Sequence, residues 1–399
     1  MLVAVTMAVG CGSSGGGGGA NPDGGSGASA TGGAAGSNTG GAAGSGGAAG
    51  SGGAAGSGGA AGSGGAAGSS GGASGSGGAA GSGGGTSWYA GVNLSGAEFG
   101  ESNLPGTYGT TYTYPTQQEL DYFIGKGLSI FRVPFRWERL QQSKGAALDA
   151  TELSRLDTVV SYATGKGASV ILDPHNYARY YGDVIGGGVV SNADFADFWG
   201  KLAGHYKADA HVLFGLMNEP HDMPTEQWLA AANAAITAIR NAGATQLVLV
   251  PGNAWTGAHS WTQNWYGTPN SQVMNGVVDS ANNFAFELHQ YLDADYSGTN
   301  ANCQSATIGS QKLADVTAWL SSNGKKGFLG EVAGGNNATC QAAIADMLGY
   351  MKQHQDVWIG FTWWAAGPWW GNYMFTLEPQ NLGSSPVDAP QLAWLTPYL

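Results

Sequence analysis

The chain has 399 residues, 71 of them glycine, three cysteines and a formal net charge of −12. Only 11% of it is charged, and no basic stripe breaks the acidic balance, so nucleic acid is excluded as an expected partner. An uncharged polymer needs no charge complement and is compatible with such a surface.

The chain opens Met1-Leu-Val-Ala-Val-Thr-Met-Ala-Val-Gly-Cys11. This short apolar run resembles a bacterial lipoprotein signal, with Cys11 as the lipidated residue. It lacks a Lys or Arg before the run, and the run is short. An ordinary signal peptide is the alternative. Either reading predicts an exported protein, anchored at the cell surface as a lipoprotein or secreted. Residues 12–86 are nearly all Gly, Ala and Ser, with GGAAGS recurring. Side chains this small cannot offset the entropy of ordering, so the segment reads as a flexible linker. As a coil it spans about 50 Å r.m.s.. No other stretch approaches transmembrane length.

Residues 87–399 contain all 14 tryptophans and are long enough for one large domain. Eight apolar runs read as strands: 89–93, 129–134, 169–173, 212–217, 246–251, 283–288, 327–330 and 357–362. Most lack alternation, as strands buried on both faces do. Amphipathic stretches lie between them. Thr116-Gln-Gln-Glu119 is a capping-box pattern opening a helix, and Leu120, Phe123 and Ile124 share its apolar face. Gly125-Lys-Gly127 and Gly165-Lys-Gly167 end helices. Residues 225–242 and 311–322 read as two more. The fold class predicted is α/β, a (β/α)8 TIM barrel. An open doubly wound sheet is the alternative, but no glycine-rich phosphate turn follows an early strand. Cys303 and Cys340 are expected to form a disulfide in an exported protein; two buried thiols are the alternative.

Polar and aromatic residues cluster where the strands end. Arg132 lies in Phe131-Arg-Val-Pro-Phe-Arg136, and His175, Asn176 and Tyr177 follow Asp173-Pro174. Asn218 and Glu219 follow the fourth run, His289 and Tyr291 the sixth, Glu331 the seventh, and Trp363 and Trp364 the eighth. A lone His at such a place is usually structural. Six coincidences on one predicted rim point instead to a site. Two facing carboxylates, Glu219 and Glu331, suit glycosidic bond cleavage.

The pattern resembles glycoside hydrolase family five, the cellulase family, over essentially all of 87–399. Within the family it looks most like the endo-β-1,4-glucanases. The runs that carry the resemblance are Gly91-Val-Asn-Leu-Ser-Gly-Ala-Glu-Phe-Gly100, Phe131-Arg-Val-Pro-Phe-Arg-Trp-Glu138 and Asp173-Pro-His-Asn-Tyr-Ala-Arg-Tyr180. They continue with Gly215-Leu-Met-Asn-Glu-Pro-His221, Pro251-Gly-Asn-Ala-Trp-Thr-Gly-Ala258 and His289-Gln-Tyr-Leu-Asp-Ala-Asp295. Ala178 departs from this pattern, where a glycine is expected.

The resemblance implies a retaining endo-β-1,4-glucanase, with Glu219 as acid/base and Glu331 as nucleophile. Arg132 and Tyr291 would keep Glu331 ionised. Asn218 would bind the sugar 2-hydroxyl, His175 and His289 would complete the polar ring, and His289 would contact Glu219. Trp364 would floor the reacting sugar, with Trp363 as the alternative. Asn176 and Tyr177 would line the cleft. Tyr180, Tyr181, Trp255, Trp261, Trp265, Trp369 and Trp370 are either packing or stacking platforms, and Trp255 and Trp369 are taken as substrate-binding. The carboxylates are expected about 5–5.5 Å apart; about 6.5–9.5 Å would mean inversion. No cofactor or metal is expected, and no His-x-His follows the first strand to suggest a metal-dependent hydrolase. A monomer is expected. Mannan, xyloglucan or mixed-linkage glucan are alternative substrates for the same machinery. A non-catalytic carbohydrate-binding protein is the rival from another class.

Overall fold

The computed structural model describes residues 88–399. The 1–11 segment with Cys11 and the linker at 12–86 lie outside the described residues.

Eight strands form a closed parallel barrel: β1 Tyr89–Leu94, β2 Ile130–Phe135, β3 Ser169–Pro174, β4 Val212–Gly215, β5 Val248–Pro251, β6 Phe284–His289, β7 Gly327–Val332 and β8 Trp358–Ala366. Each pairs with its chain neighbours, and β8 pairs with β1. That last pairing removes both edges and excludes the open-sheet alternative. The main helices are α1 Gln117–Gly125, α2 Ala150–Gly165, α3 Asn192–Tyr206, α4 Thr225–Asn241, α5 Ile308–Ser322 and α6 Ala338–Gln353. The predicted capping box at α1 forms in both directions: Glu119 N–H reaches Thr116 Oγ1, and Thr116 N–H reaches the Glu119 carboxylate. Gly127 and Gly167 then adopt left-handed conformations, φ +90° and +83°, just beyond the helices they end.

The inside of the barrel is layered. Ile130, Ile171, Leu213, Leu249, Ala285, Phe328 and Ile359 form a separate apolar cluster with Tyr89 against it. Each strand contributes one of these residues. Two positions further along come Gly91, Arg132, Asp173, Gly215 and Glu287, because a strand repeats its face every second residue. This second layer is charged and fully buried at Arg132, Asp173 and Glu287. Glycines make room for it: a Cβ at Gly330 would stand 2.4 Å from Glu287 Oε1. The larger apolar cluster lies between the sheet and the helices, and includes Phe123, Leu156, Phe198, Trp228, Leu320 and Met347.

Three strands end two or more residues away from the expected C-terminal boundary. β4 stops at Gly215, and Asn218 N–H then bonds Pro174 O at 2.9 Å, turning the chain toward β3. β7 continues through Glu331 to Val332, and β8 runs on to Ala366. Side-chain polarity ended the expected strands at those places, but the ladder is made by the backbone and continues. Cys303 and Cys340 are bonded, tying the loop after β6 to the first turn of α6.

Candidate active site

The site stands on the C-terminal ends of the strands, one layer above the buried charges. Arg132 is its hub. Its guanidinium is fully buried and meets Glu287 Oε1 at 2.8 Å, Asp173 Oδ2 at 3.1 Å and Glu331 Oε1 at 3.1 Å. It also donates to Asn93 Oδ1 at 3.0 Å and Asn218 Oδ1 at 2.8 Å. Burial opposes its charge, but the three carboxylates outweigh burial and hold it protonated. Asn93 donates onward to Gly330 O and Trp363 O, so it links β1 to β7 and β8 beneath the site.

Glu331 receives Arg132 on one oxygen and the Tyr291 O–H, at 2.6 Å, on the other. Burial pushes Glu331 up to about 7; the Glu219 carboxylate adds to this, while His289, Arg132 and Tyr291 oppose it. Burial and Glu331 both push Tyr291 well up, so it remains an O–H donor. Glu219 sits in the left-handed region at φ 42°, a strained conformation of the kind that gathers at functional sites. Its Oε1 is 2.7 Å from His289 Nδ1. One oxygen of each glutamate and a ring nitrogen of His289 lie within 4.8 Å of one another.

The two histidines differ in charge. Burial lowers His175 well below its usual value, and Arg132 and Arg136 act in the same sense. Its Nδ1 is 2.8 Å from Asp173 Oδ2. Burial also opposes charge on His289, but Glu331, Glu219 and Glu287 surround it and raise it to about 10. Asp173 is raised to about 7 by burial, against the pull of Arg132.

The aromatic residues divide. Trp364 is half-buried and stacks on His175, with ring centres 5.3 Å apart and planes 16° apart. Trp363 is fully buried, donates to Phe375 O and packs on Trp394, so it does not face the cleft. Consecutive residues of a strand point to opposite faces, which allows only one of the two into the cleft. Asn176 is buried, accepts the Trp137 N–H and donates to Glu138, and so fastens a loop. Tyr177 is half-buried, edge-on to both His175 and His221. Trp255 stacks on His221 at 4.8 Å and 12°. Trp369 and Trp265 are exposed, whereas Trp261 and Trp370 are packed. Tyr180 is packed on Trp137. Sequence reasoning did not assign Asn93 or Glu287 a role. Both stood in runs already noted, but a buried partner of an arginine leaves no local signature.

Residues 92–367 match the family model described as Cellulase (glycosyl hydrolase family 5). The chain is 46% identical over 295 residues to endo-beta-1,4-glucanase B of Aspergillus niger, covering 74% of this chain and 86% of that protein. Among solved structures, XacCel5A in complex with cellopentaose aligns at 47% identity and a TM-score of 0.76, covering 79% of this chain and all of that one. An endo-beta-1,4-glucanase from Xanthomonas axonopodis pv. citri aligns at the same identity and TM-score, over 78% of this chain and 98% of that one.

Proposed function

The chain belongs to glycosyl hydrolase family 5 and is an endo-β-1,4-glucanase, and from that premise we propose that it retains anomeric configuration through a double displacement on Glu331 and Glu219. The observation that carries the mechanism is the close approach of the two carboxylates, within 4.8 Å at their nearest oxygens. Inversion needs about 6.5–9.5 Å to admit a water between them.

In the first step Glu331 attacks the anomeric carbon while Glu219 gives its proton to the departing glycosidic oxygen. A glycosyl ester forms on Glu331 and the aglycone leaves with that proton. In the second step Glu219 takes a proton from water, the water attacks the anomeric carbon, and its bond to Glu331 breaks, releasing Glu331 as the carboxylate. Arg132 and the Tyr291 O–H hold Glu331 in line and carry its returning charge. Arg132 occupies Asn218 Oδ1, which leaves the amide nitrogen as a donor for the sugar 2-hydroxyl. Trp364, steadied by His175, supports the reacting ring from below.

The substrate is a β-glucan of the cellulose type, and the solved relative in complex with cellopentaose supports that class. Export, with Cys11 as a lipid anchor and 12–86 as a tether, completes the reading; mass spectrometry of the membrane-derived N-terminus tests it, and a mature chain lacking Cys11 overturns it.

The mechanism is tested with carboxymethylcellulose and with NMR of a short cello-oligosaccharide digest. Wild type is expected to lower viscosity quickly and to release the β-anomer first. Glu331→Ala is expected to be inactive, and Glu219→Ala to lose about 10²–10⁴-fold. An α-anomer formed first would replace retention with inversion.

A further inference from the structure

His289 and Glu287 occupy one face of β6, two residues apart. Asp173 and His175 make the same pairing at the end of β3, yet His175 is held neutral beside two arginines. His289 faces a different set of charges. Glu219, after β4, is 2.7 Å from its Nδ1, and Glu331, on β7, is 3.6 Å from it. Glu287, on its own strand, is 3.4 Å from Nε2. Arg132, on β2, contacts Glu287 and Glu331, and Asp173, on β3, lies beyond Arg132. The Tyr291 O–H is spent on Glu331. The loop after β5 meets His289 through backbone alone: Ala258 N–H bonds its carbonyl and its own N–H bonds Thr256 O.

Glu287 is fully buried, and its Oε2 has no hydrogen-bond partner among the described residues. Such a carboxylate is costly unless its charge is used. Arg132 uses part of that charge. The rest falls on the far side of the imidazole from Glu219.

We propose that Glu287 is a positioning residue that keeps His289 protonated on both ring nitrogens, so that Nδ1–H is donated to Glu219 Oε1 in both halves of the reaction and Oε2 is left to carry the catalytic proton. The inference rests on Glu219 being the acid/base. The histidine neither gains nor loses a proton during turnover. It fixes which oxygen of Glu219 faces the glycosidic bond, and its charge stabilises the monoanion that the two glutamates share. Replacing Glu287 with an uncharged residue withdraws the partner of Nε2–H. His289 then loses its charge within the working pH range, and the glutamate pair loses its nearest cation. With that cation gone the pair holds its protons more tightly, so both limbs of the pH profile move to higher pH.

The test uses the whole enzyme and two aryl cellobiosides, one with a good and one with a poor leaving group. Glu287→Gln is expected to raise both limbs of kcat/KM by about one pH unit, which is about a tenfold loss on the acid side. Glu287→Asp, which keeps the carboxylate, is expected to return the limbs toward wild type. In a His289→Asn background, Glu287→Gln is expected to move them no further, since its effect passes through His289. Unmoved limbs in Glu287→Gln, or an equal shift without the histidine, overturn the proposal. Nitrogen-15 spectra of histidine-labelled wild type, assigned with His289→Asn, decide the matter even if Glu287→Gln does not fold. Two protonated ring nitrogens on His289 at pH 7 are expected, and one bare nitrogen overturns the proposal. Full activity of Glu219→Ala on the poor leaving group would instead remove the underlying acid/base assignment, a separate result.

Discussion

At the scale of single residues, Ala178 shows how a departure from a family pattern becomes physical. Its φ is 59° and its side chain is fully buried, in a turn where Tyr177 is also left-handed. A Cβ in that region costs about 1–2 kcal/mol, while glycine gives back about 0.4–1 kcal/mol in unfolded-state entropy. Ala178→Gly is therefore expected to raise stability by about 0.5–1 kcal/mol in urea unfolding; a loss would show that burial of the methyl outweighs the strain. The tryptophan pair makes the complementary case. Trp364→Ala is expected to impair kcat/KM on short and long substrates alike, because the proposed mechanism sets it beneath the reacting ring. Exposed Trp369 stands at the rim, so Trp369→Ala is expected to weaken polymer hydrolysis more than aryl cellobioside hydrolysis. Equal losses on both substrates would remove it from the substrate track. The aromatic residues were visible in the sequence, but their facing was not. Which of two adjacent rings looks inward depends on strand phase, and phase is set by pairing with β1 and β7.

At the scale of elements, the links between β6, β7 and α6 decide how firmly Glu331 is held. Tyr291 leaves β6 and bonds Glu331 on β7, and Cys303–Cys340 joins the loop after β6 to the first turn of α6, the helix that follows β7. Gly335 packs so close to Ala301 that an added Cβ would lie 2.2 Å from its carbonyl oxygen. Asn337 caps α6 through Cys340 N–H and also donates to Ala301 O. The bond closes a sequence separation of 37, for which chain entropy gives about 3–4 kcal/mol. The Cys303→Ala/Cys340→Ala double variant is expected to unfold at correspondingly lower denaturant, with kcat falling as the loop after Glu331 loosens. Unchanged stability would mean that the loops are held by their hydrogen bonds alone. The pairing of the cysteines was legible from their number and the expected export. Its place against the loop after Glu331 was not, because a sequence separation of 37 hides the proximity.

At the scale of the whole molecule, buried ionisable groups set the response to pH. Burial raises Glu378 to about 8, helped by the neighbouring Glu119 carboxyl, and raises Asp173 and Glu331 to about 7. Unfolded carboxyls titrate near pH 4, so the native state binds extra protons between those limits. Their contribution is complete below about pH 4 and is lost as pH rises through 7 to 8. His289, raised to about 10, acts in the same direction above about pH 6.5. His259 is lowered by burial to about 4 and Asp279 is held below its usual range by Arg240 despite burial, so both lose stability as pH falls. Three raised carboxyls outweigh the one lowered histidine above about pH 4, so Tm is expected to peak near about pH 4 and to fall toward pH 8. Glu378→Gln should flatten the alkaline fall, and an unchanged slope would remove Glu378 from the account.

The sequence by itself determined the barrel, because eight apolar runs separated by amphipathic helices have few other ways to bury both faces of a sheet. It also located the two glutamates, since a carboxylate where an apolar run ends has no packing role there. Local spacing was enough for both. Tertiary structure alone decided that Trp364 rather than Trp363 faces the cleft, that Asn176 fastens a loop, and that Asn93 and Glu287 support the site from below. Those outcomes depend on the register between strands far apart in the chain and on the charges that closure gathers around Arg132. Such long-range fields and facings are properties of the closed barrel, and no local stretch of residues encodes them.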